Sequence, residues 1–164
     1  IETYANSRRL EKSLRLQNAD LEIDYNLYEA GLARPKVKAA DFHGKAAYVQ
    51  QRELDQQAAY LCTFMLQDTT DSDGVVRYPV GNWPILDPKT KEVIIDSHGR
   101  RSYTTSMAFG PSLGVNIAMG YLPADQAKEG DIVLIEYFGE HYEAKVMKVG
   151  YGALLDPTNE RPKS

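Results

Sequence analysis

From Ala59 onward the chain is cut into short apolar runs separated by turn-forming residues. Ala59 to Leu66 is mostly apolar and predicts a strand. Val75 to Tyr78, Ile85 to Leu86 and Val93 to Ile95 are shorter β-rich runs, parted by the turn-formers of Y-P-V-G-N and D-P-K-T-K. Tyr103 to Phe109 and Val115 to Leu122 follow, with Gly110 and Gly114 flanking P-S-L between them. A phosphate-cradling loop needs a strand before it, a helix after it and usually a lysine. Here β-branched residues stand on both sides, and Pro111 and Gly114 suit a tight connection, so the pattern predicts strand, turn, strand. Ile132 to Tyr137 and Tyr142 to Val149, joined by F-G-E-H, predict a hairpin. Strands at this spacing, with no helix between them, predict an antiparallel barrel or sandwich. Its apolar content makes the region 58–150 expected to fold alone.

Before Ala59 the texture differs. Residues 1–16 predict an amphipathic helix, with Tyr4, Ser7, Glu11 and Leu14 on one face and Leu10 beside it. No period survives from Gln17 to Lys38, which reads as loop or short extended pieces ending in a strand near Lys36 to Lys38. D-F-H-G-K-A-A-Y-V-Q-Q-R-E-L-D-Q-Q predicts a second helix with Asp41 or Gly44 near its start.

Composition narrows the class. With 164 residues, 43% hydrophobic and 26% charged, the chain is sized for one globular domain, or one domain plus a piece of another, with a real core. A net charge of −4 lacks the electrostatic footprint of a nucleic-acid binder. No run reaches the length needed to span a bilayer as a helix. One cysteine, Cys62, has no internal disulfide partner and sits among apolar neighbours, so a buried thiol in a reducing compartment is expected.

Candidate chemistry is sparse. His43, His98 and His141 lie far apart without metal-ligand spacing. T-T-D-S-D-G lacks the alternating ligands and distal glutamate of a helical calcium loop. D-S-H-G-R-R reads as a solvated corner, and Trp83 as a packing residue with ligand stacking as the alternative. Arg9 and Glu11 stand beside core-facing positions. An arginine there either pairs with an internal carboxylate or grips an anionic ligand.

Several stretches, in order, resemble the aminomethyltransferase (glycine cleavage T-protein) superfamily, most like the C-terminal portion of dimethylglycine and sarcosine dehydrogenases. A-N-S-R-R-L-E-K-S-L-R resembles that family's R-L-E-K helix, with Ser13 and Leu14 in place of its Gly and Tyr. Y-E-A-G-L with D-F-H-G-K-A-A, T-S-M-A-F-G-P-S-L-G-V-N-I-A-M-G-Y-L, the terminal hairpin and L-L-D-P-T-N-E-R are similar to later family segments. The resemblance implies a mainly β fold with α: a six- or seven-stranded antiparallel β-barrel, residues 58–164, preceded by a helical tail of an α+β folate-binding region, residues 1–57. It implies the C-terminal part of a tetrahydrofolate-dependent one-carbon-transfer enzyme acting on a small N-methyl substrate, with FAD on an upstream domain. The partner is then the rest of the same polypeptide, with no nucleic acid or membrane, in the cytoplasm or a mitochondrial matrix. The catalytic acid would lie upstream, leaving this segment inactive alone. Arg9 matches the arginine near folate, Glu11 its structural partner, and Arg161 a terminal arginine; these three are the implied cofactor-binding residues. A folate-dependent O- or S-demethylase and a stand-alone interaction barrel are the alternatives.

Overall fold

The structure, a computed structural model, describes residues 4–34, 36–54 and 56–160. Six strands form one antiparallel sheet: β1 (Ala59–Leu66), β2 (Ile85–Leu86), β3 (Thr104–Gly110), β4 (Val115–Pro123), β5 (Ile132–Tyr137) and β6 (Glu140–Val149), in the order β2-β5-β6-β1-β4-β3. The two edges meet at one end. Pro84 bridges Tyr103, Ile85 N donates to Ser102 O at 3.0 Å, and Thr104 N donates to Trp83 O at 2.8 Å. The barrel expected from the sequence is therefore present. The runs Val75 to Tyr78 and Val93 to Ile95 are not strands, however. Each is reduced to isolated bridges, Thr70 to Val76, Leu86 to Val93 and Ile95 to Arg101, because no continuous neighbour runs beside it.

Side-chain parity along β1 and β4 builds two cores. Cys62, Phe64, Leu66, Ala118 and Leu122 point into the barrel with Ile85, Ile135, Ala144 and Val146. The alternate residues Leu61, Ile117, Met119 and Tyr121 point outward, yet are also buried, because Leu10 and its neighbours lie over them. Burial of Cys62 pushes its thiol pKa up to about 12, the inert state expected. β6 carries no such cover. Tyr142, Ala144 and Val146 face in, and His141, Glu143 and Lys145 face water.

The first helix is much shorter than its pattern predicts. A π-helical turn, Tyr4–Arg8, runs into one α-helical turn, α1, Arg9–Glu11. Ser13 then adopts φ 57° and turns the chain, so Leu14 leaves the buried face and is 36% exposed. The resembling family motif has glycine at this position, the residue that enters this region most freely. No strand forms near residues 36–38; that stretch pairs with nothing described. The second helix, α2, is confined to Lys45–Arg52, because Gly44 at φ 83° cannot belong to it and Glu53 caps it. No helix among the described residues is long and apolar enough to cross a membrane.

Candidate functional site

The densest polar chemistry lies in the seam between the N-terminal segment and the outer face of β3, β1 and β4. Arg9 is its centre and is 5% exposed. Its Nη1 donates to Asp20 Oδ2 at 2.6 Å and to Leu14 O at 3.0 Å, its Nη2 to Ser106 Oγ at 2.6 Å, and its Nε to Ala5 O at 2.6 Å. A guanidinium has five N–H groups; four are engaged within the chain. Asp20, fully buried, also accepts from Thr105 Oγ1 at 2.5 Å and from Leu16 N at 2.8 Å. Tyr121 donates its hydroxyl to Asp20 O at 2.7 Å.

This geometry corrects two readings. Arg9 does not present its fork to an open site, and Glu11 is not its partner. Residues two apart on a helix face away from each other. Glu11, 1% exposed, instead accepts the backbone N–H of Ser112 at 2.6 Å and of Leu113 at 3.2 Å. The turn between β3 and β4 thus cradles an anion after all, but the anion is a side chain of the same protein. Glu11 O also accepts Leu154 N and Leu155 N, each at 2.9 Å, which pins the C-terminal stretch to the same seam. Arg161 lies outside the described residues.

A second node was read in the sequence as a solvated corner. Arg100 donates through Nε to Asp96 Oδ2 at 2.7 Å, through Nη2 to Glu29 Oε1 at 2.5 Å and through Nη1 to Asp24 O. Burial works against its charge, but Glu29 and Asp96 outweigh that and raise its pKa. Its guanidinium lies 4.2 Å from the centre of the Tyr25 ring, which stacks on Tyr121 at 3.5 Å and 4°. Burial raises the Tyr25 pKa to about 12, so its phenol stays neutral at physiological pH. Asp20, Tyr25, Glu29, Arg100 and Tyr121 are thus site residues that the sequence reading did not single out. The one local signal was Asp96 four residues before Arg100 in a tight turn; the partner Glu29 is 71 residues away.

The three histidines are all exposed, and no group of carboxylate, histidine and cysteine side chains among the described residues has metal-site geometry. Trp83 packs edge-on to Tyr137 at 4.8 Å and against Phe138 at 5.0 Å.

Residues 82–149 match the glycine cleavage T-protein C-terminal barrel domain, and β1 lies upstream of the matched stretch. The chain is 30% identical over 162 residues to dimethylglycine dehydrogenase, mitochondrial, of Rattus norvegicus, covering 97% of this chain and 17% of that protein. It is 29% identical over 143 residues to an aminomethyltransferase of Koribacter versatilis, covering 87% of this chain and 33% of that protein. The crystal structure of glycine cleavage system aminomethyltransferase T from Bartonella henselae shares the fold at a TM-score of 0.66 and 24% identity, over 85% of this chain and 36% of that one. The chain therefore spans between about a sixth and a third of the length of the curated relatives it matches.

Proposed function

We propose that this chain is the C-terminal part of a tetrahydrofolate-dependent one-carbon-transfer enzyme of the dimethylglycine or sarcosine dehydrogenase type. Residues 1–57 are the tail of its folate-binding region, and a flavin domain further upstream oxidises a small N-methyl amine. The observation that carries this reading is the outer surface of the N-terminal segment. Ile23 is 102% exposed, Leu54 53% and Leu27 48%, and none of the residues of α2 is buried. A helix that buries no face leaves that face free for a cover from outside this chain. The same segment is bonded to the barrel through Arg9 to Ser106, Asp20 to Thr105 and Glu29 to Arg100. In this reading the cover is the rest of the folate-binding region.

In this reading Arg9, Glu11 and Arg161 serve the folate site, the first two as positioning residues. Arg9 fixes Asp20 and the loop that follows, and Glu11 fixes the β3–β4 turn, so the wall presented to folate keeps its shape. The complete enzyme binds tetrahydrofolate, with FAD on its upstream domain. It resides in the cytoplasm, or in the mitochondrial matrix in a eukaryote.

The test is the complete reading frame that contains Ile1 to Ser164, expressed and assayed with dimethylglycine and sarcosine. Amine oxidation that yields methylenetetrahydrofolate when tetrahydrofolate is present, and free formaldehyde when it is absent, is the expected result. A reading frame without a folate-binding region, or turnover indifferent to tetrahydrofolate, overturns the reading and leaves the barrel as an interaction module.

A further inference from the structure

On the side of the barrel that the N-terminal segment does not cover, the β5–β6 hairpin tip faces the loop 70–77. Ser72 Oγ donates to Glu140 Oε1 at 2.5 Å and ties the two together. Between them is a cleft of about 390 Å³. Its apolar wall is Tyr137 and Phe138. Phe138 is 76% exposed because the turn holds it at φ 52°, with Gly139 after it at φ 82°. That is the pair of positive φ angles of a two-residue hairpin turn.

The polar wall is unevenly satisfied. Asp71 is occupied: its Oδ1 accepts Asp73 N at 3.0 Å and Val75 N at 2.8 Å, and its Oδ2 accepts Arg77 Nε at 2.6 Å. Arg77 and Asp71 therefore cancel. Asp73 makes no side-chain hydrogen bond or salt bridge among the described residues, and Glu140 Oε2 has no partner among them. At the floor lies Tyr142, 4% exposed, whose hydroxyl has no hydrogen-bond partner among the described residues. Burial first, then Asp71 and Glu140, raise its pKa and keep the hydroxyl neutral.

We propose that this cleft binds a small primary or secondary ammonium ion, with its N–H groups on Glu140 and the Tyr142 hydroxyl and its alkyl groups against Phe138 and Tyr137. Three lining carboxylates, Asp71, Asp73 and Glu140, against the single guanidinium of Arg77 disfavour an anion. A hard metal ion wants six or more oxygens, and here ring faces occupy the other side. Aromatic faces attract organic cations, and the free acceptors favour one that still carries N–H. This site stands apart from the folate reading, since it involves none of the seam residues.

Trp83 is the only tryptophan and touches Phe138, so its fluorescence reports on the cleft. The 164-residue chain is titrated with dimethylammonium chloride, with sodium chloride and tetramethylammonium chloride in parallel. A saturable change with half-saturation near or above about 1 mM is expected for so small a ligand. Tyr142→Phe or Asp73→Asn should weaken it about fivefold, the effect of one lost hydrogen bond or charge. Asp73 donates only its backbone N–H to the fold, so its variant keeps the structure if Tyr142→Phe does not. A response that sodium reproduces, that tetramethylammonium matches in affinity, or that both variants leave unchanged overturns the proposal.

Discussion

Arg9 and Asp20 show what a charge requires inside a protein. Their side chains are 6% and 0% exposed, and each is the other's only ionic partner described. Removing one member of such a pair leaves a buried charge with nothing opposite it, which costs about 3–5 kcal/mol. Arg9→Met should therefore lower urea stability by about that amount, and Asp20→Asn by a comparable one. The double variant should cost less than the sum by about 0.5–3 kcal/mol, the coupling of a contacting pair. Arg8, exposed and next in sequence, should tolerate alanine within about 0.5 kcal/mol. Additive effects at Arg9 and Asp20 would show that each acts independently.

Among the strands, β4 depends on one missing side chain. A Cβ on Gly120 would come within 2.5 Å of Tyr103 O and 2.8 Å of Ile85 Cδ1, where the start of β3 crosses β4 to close the barrel. Main-chain oxygen cannot swing aside as a long side chain can. Gly120→Ala should lower stability by about 1–3 kcal/mol, the usual cost of overpacking, and should weaken the Ser102–Ile85 closure. Thermal melting reads the first, and amide exchange at Ile85 and Thr104 reads the second. Unaltered protection at both amides would mean that the closure does not depend on this crossing.

For the molecule as a whole, residues 58–150 leave one of their two cores to be covered from outside that range. Their sequence is apolar enough for a self-sufficient unit, but Leu61, Ile117, Met119 and Tyr121 form a second core that is closed by Leu10 from outside that range. Expressed alone, 58–150 should melt at a lower temperature than 1–164, with a broadened transition and binding of a hydrophobic dye. Equal melting temperatures and no dye binding would restore the barrel to independence.

The sequence by itself determined where the six strands lie, but not that the equally β-rich runs Val75 to Tyr78 and Val93 to Ile95 stay isolated bridges. β1 and β2 occupy the residues that the apolar runs marked, because period, β-branching and turn formers act over a few residues. β6 begins two residues earlier than expected only because Phe138 takes a left-handed conformation and shortens the turn. The position of Arg9 and Glu11 beside core-facing residues is legible in the sequence. Tertiary structure alone decided what those side chains hold. Asp20 and the Ser112 amide, like Glu29 for Arg100, are reached across the fold, and no local pattern encodes a pairing at such separations. It also decided why β1 and β4 are apolar on both parities while β6 alternates. A second layer covers the first two and water covers the third, and which layer lies where depends on how the whole chain packs.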